Sequence, residues 1–405
     1  MSMFNTHTAK VLIRTNAAIA MAMAMALATT LALSNEVHAA DYKVGILLPF
    51  SGVYAGLGNH IENGFALGLE HYASDLGADS VTTIKADTEA NPGSSLAKTK
   101  KMILRDKADV LVGLVSSAVL GAVRNFVHQS GVPLVVANAG NINATGKDCS
   151  ANIIRVSFSN AQITRPMGSW MAKQGIKKVY LMAPDYAAGH QMMEAFRTTF
   201  TAGGGEIIGE AYPPLKGTKD YGPYLTAAKA TKPDAIFTFF AGGAAIAFVK
   251  QYAQFGINKD IPLFGAGFLT SAAYVHVQGQ AADGVTGSLH YFPGLDTKEN
   301  RAFQAAYQAK HGGKTGSEFA VAGYDTARLV AEAIKAAAGD KTKFKSELSN
   351  VHFTGPRGPL KIDPKTHNVI QNIYVFKNEF VAGKVQQRVL ATIPNVQDGP
   401  NGCVM

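Results

Sequence analysis

The sequence predicts an α/β protein in which parallel central sheets carry helices on both faces and fall into two lobes. Three observations lead there. Short apolar runs alternate with helical patterns along nearly the whole chain. The 405 residues exceed what one hydrophobic core usually holds, so two domains are expected. The alternation also divides into two series near Ser159-Asn160.

The elements follow in order. Lys10 and Arg14, an Ala/Met/Leu run from Ala17 to Leu33 and the small-residue site Val37-His38-Ala39 have the pattern of a cleaved secretory signal peptide over residues 1–39. An uncleaved anchor is the alternative reading of that apolar run. No cysteine stands at the cleavage site, so a lipid anchor is not expected. The first folded element is a buried strand over 44–48, followed by the loop Pro49-Phe50-Ser51-Gly52 and a helix with apolar positions Ile61, Phe65, Leu67 and Leu69. Further apolar runs predict strands over 81–85, 110–115, 134–137, 179–183, 206–211, 235–240, 261–265 and 284–290. Helical patterns lie over 95–106, 118–126, 162–174, 191–202, 221–230, 244–255, 299–311 and 324–338. The segment from Phe353 onward reads as turns and a hairpin forming a last crossover. The longest apolar stretch after the leader, 235–249, is shorter than the ~20 residues of a membrane span and is broken by Gly242-Gly243.

The net charge of +9 invites a nucleic-acid reading, and losing the leader barely alters the balance. Lys and Arg are nevertheless scattered singly or in pairs, as at Lys100-Lys101 and Lys177-Lys178, so a solvated basic surface is expected and no nucleic-acid partner. Cys149 and Cys403 are the only cysteines, in a chain bound for an oxidising compartment. A disulfide between them is the favoured reading; two free thiols are the alternative.

In open α/β sheets, ligands sit beyond the carboxyl ends of the strands, where helix N-termini offer free N–H groups. Three loops occupy such places. Ser116-Ser117 precede the 118–126 helix and suit a carboxylate, or serve as an ordinary helix cap. Ala137-Asn138-Ala139-Gly140-Asn141 lets backbone N–H groups approach a ligand, or is a plain turn. Tyr186, in Pro184-Asp185-Tyr186-Ala187-Ala188-Gly189, covers a ligand or is a core tyrosine.

Several segments together resemble one family. VGILLPFSGVYAGLG, VLVGLVSSA, VPLVVANAGN, IIRVSFSNAQ, VYLMAPDYAAG, AGYDTARLVAEAIKAA and FTGPRGPLKIDP, in this order and spacing, are similar to periplasmic solute-binding proteins of the branched-chain amino-acid type, the receptors of ABC importers. The resemblance covers essentially the whole mature chain. It implies two Rossmann-like lobes with parallel central sheets joined by three hinge crossovers, the type I periplasmic binding architecture, closing on a ligand in the cleft. The expected division is 40–159 with 291–354, and 160–290 with 355–405. It further implies Ser117 and the Ala139, Gly140 and Asn141 loop on the ligand carboxylate, with Tyr186 reaching across from the second lobe.

The departures carry as much information as the matches. Amino-acid receptors of the family place acidic residues against the ligand ammonium, where this chain has Asn160 and Gly267. A buried ammonium without a carboxylate is strongly disfavoured. Aromatic residues instead occupy the expected cleft positions: Tyr54, Phe158, Phe239-Phe240 and Phe268. The alternative reading of Phe158 and Phe239 is ordinary core, since alternate strand residues point inward. The resulting expectation is a periplasmic receptor for a small carboxylate, an aromatic acid of the benzoate or hydroxycinnamate kind, delivered to an ABC permease of the inner membrane. A branched-chain or other aliphatic amino acid is the alternative, followed by a sensor domain or a hydrolase. No G-x-S-x-G, H-E-x-x-H or P-loop occurs, and the histidines are dispersed, so no enzyme, metal or cofactor is expected. A monomer is expected.

Overall fold

The computed structural model describes residues 39–399 and 401–405, so the expected signal peptide lies outside the described residues except for Ala39. Two sheets organise the rest. The first is wholly parallel: β1 (Asp41–Leu48), β2 (Ser80–Asp87), β3 (Val110–Gly113), β4 (Leu134–Val136) and β5 (Ile153–Arg155), in the order β2-β1-β3-β4-β5. The second begins the same way. β6 (Lys178–Met182), β7 (Glu206–Ala211), β8 (Ala235–Thr238), β9 (Leu263–Ala266) and β10 (Thr286–Leu289) run parallel in the order β7-β6-β8-β9-β10.

Beyond β10 the second sheet turns antiparallel. β11 (His352–Gly355), β12 (Gly358–Ile362), β13 (Val369–Val381) and β14 (Lys384–Val396) extend it to nine strands, with β13 pairing to β10, β12 and β14. The expected turns and hairpin after Phe353 are therefore a four-stranded addition to the second sheet. Two 13-residue strands make up its long hairpin.

Local sequence explains the helices that frame the strands. The Ser117–Ser130 helix buries Val119, Leu120, Val123 and Val127 along one side and ends at Gly131, whose left-handed φ of 77° favours glycine. The Ala55–His71 and Glu318–Ala337 helices pack closely because Gly64 lies against Ala320 and Gly323 against Ile61; a Cβ on either glycine would strike the facing carbonyl. Helices through Asn350 thus join the five-stranded lobe, and β11 begins the return to the nine-stranded one.

The crossovers hold two fully buried arginines. Arg155 ends β5 and Arg357 stands between β11 and β12. Arg357 donates to the carbonyls of Val156 and Ser157 and to Gln371 Oε1, and its Nε lies 2.8 Å from Asp325 Oδ2. Burial pulls the Arg357 pKa down and pushes that of Asp325 up, outweighing their attraction on both sides. Cys149 and Cys403 are disulfide-bonded, with Cα atoms 5.4 Å apart, which ties the C-terminal tail to the loop before β5.

Candidate ligand cavity between the lobes

A cavity of about 320 Å³, including its solvent-open mouth, lies where strands of both sheets end. That volume includes open solvent; the enclosed space is about 20 Å³, room for about one water molecule. The five-stranded lobe contributes Tyr54, Leu57, Val115, Ser117, Asn138, Gly140 and Phe319; the nine-stranded lobe contributes Tyr186, Ala188, Met192, Phe239, Ala241 and Phe268; Phe158 and Asn160 come from the first crossover. None of these side chains is charged.

The backbone aims these residues. After β3, Leu114 takes a left-handed φ of 65°, held by its N–H donating to Leu47 O and its carbonyl accepting from Ala139 N–H. That turn leads directly into Val115 and the start of the Ser117 helix. After β4, Arg155 grips the loop from behind, donating to the carbonyls of Ala139 (3.3 Å) and Asn141 (2.8 Å). With its neighbours turned toward Arg155, Gly140 is the residue of this loop that borders the cavity together with Asn138. A Cβ on Gly140 would collide with Asn160 Oδ1 and the Phe158 ring.

Aromatic rings form the opposite wall. Phe268 lies 5.0 Å from Phe158, 5.6 Å from Phe319 and 6.3 Å from Phe239, centre to centre, and Tyr186 lies 6.3 Å from Phe239. Tyr54 donates a hydrogen bond to Tyr186 Oη at 3.1 Å, so the two lobes meet across the cavity mouth. Burial raises both phenols, Tyr54 to about 12 and Tyr186 further, and keeps both hydroxyls protonated. Behind Phe158, His290 stacks at 5.4 Å; burial first, then the Arg357 charge, lowers its pKa and holds it neutral.

Several expected residues lie elsewhere. Ser116 is the N-cap residue of its helix and Asn141 caps the 142–145 turn; Asn141 also donates to Ser117 O at 2.9 Å, so neither borders the cavity. Ala139 points into the core of the five-stranded lobe, since its N–H and carbonyl are both held by the scaffold. Phe240 stacks on Phe248 at 4.5 Å inside the second lobe; its neighbour Phe239, one residue earlier, takes the cavity position. Gly267 faces Leu289 and Phe376 in the core. Tyr54, Ser117, Asn138, Gly140, Phe158, Asn160, Tyr186 and Phe268 are brought together.

Residues the sequence reading did not single out also matter: Met192, Phe319 and, just behind the lining, Gln191. Gln191 Oε1 accepts from Asn160 Nδ2 at 2.8 Å and from Ile142 N–H at 3.0 Å. The helix that carries it starts at Ala187, four residues before the expected start at 191, so Gln191 stands in the second turn of a helix that begins at the cavity and not at its first residue.

A family model described as periplasmic binding protein matches residues 41–383. The Leu/Ile/Val-binding protein homolog 6 of Brucella melitensis is 30% identical over 357 residues, 86% of this chain and 91% of the relative. Among solved structures, a solute-binding protein of an ABC transporter from R. palustris, in complex with benzoate, is 36% identical, with a TM-score of 0.84, covering 90% of this chain and all of that one. Another, from Rhodopseudomonas palustris BisB5 in complex with 3,4-dihydroxybenzoic acid, is 34% identical, with a TM-score of 0.84, covering 88% and 98% of the two chains.

Proposed function

Because the chain belongs to the periplasmic binding protein family, as an ABC-transporter solute-binding protein, we propose that its ligand is a small aromatic acid, captured by lobe closure and handed to an inner-membrane permease. The observation that carries this reading is the cavity lining: six aromatic rings and a set of neutral hydrogen-bond donors, with no charged side chain. A ring of 150–250 Å² buried there gains roughly 4–6 kcal/mol before ordering costs.

The carboxylate finds its partners at the polar end. The Ser117–Ser130 and Ala187–Ala202 helices both begin at the cavity, so their N-terminal N–H groups and dipoles favour an anion. Ser117 adds its hydroxyl and Gly140 an approachable backbone. Both structural relatives described above carry benzoate-type acids, which supports the same choice. The proposed lobes, 40–159 with 291–354 and 160–290 with 355–405, would swing about the three crossovers to admit it. No helix among the described residues is long and apolar enough to cross a membrane, in keeping with export to the periplasm.

The names of the sequence relatives favour a second reading, a branched-chain amino acid. Titration calorimetry with benzoate, 4-hydroxybenzoate and leucine separates the two. Micromolar binding of the aromatic acids with none of leucine is expected; the reverse pattern would overturn the proposal.

A further inference from the structure

One acceptor in the cavity has no partner. Asn160 is 1% exposed and borders the cavity, yet its Oδ1 receives no hydrogen bond. A buried acceptor left bare costs stability, so its orientation must be enforced.

Hydrogen-bond polarity shows what enforces it. The Ile142 backbone N–H can only donate, and it donates to Gln191 Oε1. That same oxygen faces the Asn160 amide at 2.8 Å, so the Asn160 atom there must be its Nδ2. The other Nδ2 hydrogen goes to Ser117 Oγ at 3.2 Å. Two consequences follow together. Ser117 Oγ already accepts, so its own hydroxyl hydrogen is free to donate to a ligand. Asn160 Oδ1 is turned away from Gln191, beside Gly140, whose missing side chain leaves it room. The polar end therefore presents a donor and, one amide group away, an acceptor.

Resting on the aromatic-acid reading, we propose that Asn160 Oδ1 is a specificity-determining acceptor and that the ligand carries a hydroxyl donor on the carbon next to its carboxylate, as in an aryl 2-hydroxy acid. A carboxylate held by Ser117 alone sets a second oxygen close to Asn160 Oδ1, and like partial charges then face each other. A hydroxyl on the neighbouring carbon supplies the missing hydrogen. A 2-oxo group on that carbon would add another acceptor and make the conflict worse. Gln191 is the positioning residue, because it alone prevents the Asn160 amide from turning over.

Mandelate, used as each enantiomer, and benzoylformate set a hydroxyl-bearing tetrahedral carbon against a planar carbonyl at the same position, and benzoate lacks both, so calorimetry with these acids on the full mature protein reads the acceptor. Mandelate is expected to bind at least about tenfold more tightly than benzoylformate. In Asn160→Leu the mandelate-to-benzoylformate ratio falls to near one, whatever the change in absolute affinity from the lost hydrogen bond to Ser117. In Gln191→Met benzoylformate gains, because the released amide can present its Nδ2. A wild-type ratio within twofold, or a preference for benzoylformate, overturns this inference while leaving the aromatic-acid reading intact if benzoate binds. A tenfold ratio that persists in both variants overturns the role of Asn160. Failure of all three acids to bind, with leucine binding, overturns the parent reading and this one with it. Should Asn160→Leu fail to fold, the wild-type ratio and the Gln191→Met response still decide.

Discussion

The crossovers and the cavity are both buried and polar, but their hydrogen bonds are arranged in opposite ways. At the crossovers, Arg155 donates to Asn368 Oδ1, Thr145 Oγ1 and two loop carbonyls, and Arg357 to two crossover carbonyls and Gln371 beside its ion pair with Asp325. Most of these guanidinium N–H groups are used within the chain, while Arg357 Nε and the Asp325 carboxylate lie in contact without forming a hydrogen bond. The cavity lining holds no charge, and it leaves the Ser117 hydroxyl hydrogen and Asn160 Oδ1 for something else. Charged donors spent on backbone carbonyls fix the position of a backbone; an uncharged lining with a free donor and a free acceptor defines what must arrive. The first region holds the loops, through Arg155 on Ala139 and Asn141, so that the second can remain open.

The largest break in that contrast comes from removing a crossover charge. Arg357→Met leaves Asp325 buried and unpaired and is expected to cost about 3–5 kcal/mol in urea unfolding. A loss below about 1 kcal/mol would mean that the pair does not organise the hinge.

Glu318 tests the border between the two regions. It begins the helix that presents Phe319 to the cavity, is 3% exposed, and leaves Oε1 without a partner. Burial raises its carboxyl to about 7, against a hydrogen bond with Ser271 of the other lobe. A raised folded pKa means that its contribution to stability is complete below about 4.5 and is lost as pH rises through about 7. Glu318→Gln should therefore be more stable than the natural protein by roughly 2–3 kcal/mol at pH 8 and no different near pH 4, as read by thermal unfolding across pH. Parallel pH profiles for the two proteins would count against this.

The smallest effect is expected at the cavity mouth. Tyr186→Phe removes the hydroxyl that meets Tyr54 across the lobes, worth about 1 kcal/mol. Benzoate binding should weaken about fivefold, with little change in thermal stability. A stability loss without an affinity loss would assign that contact to the scaffold.

Most of the parallel strands were legible as short apolar runs closed by loops of small residues; the edge strands β2 and β7 are mixed in composition, and the three-residue β5 was not among the expected strands. The C-terminal extension was not legible. β14 alternates exposed and half-buried residues, and its pairing with β13 contains two register shifts, so its sequence offers neither a clean period nor an apolar run. At the site, the strand-end loops identified Ser117, Gly140 and Tyr186, but parity decided between Phe239 and Phe240. Successive residues at a strand's end face opposite ways, and composition does not say which one meets the cavity.

By itself, the sequence determined the alternation of strands and helices and the loops at the strand ends. Only the tertiary structure decided the polarity of the site. The run of hydrogen bonds from Ile142 through Gln191 and Asn160 to Ser117 joins four separate segments of chain. Its direction is set by a backbone N–H that cannot accept, and that constraint exists only once the lobes have brought those segments together.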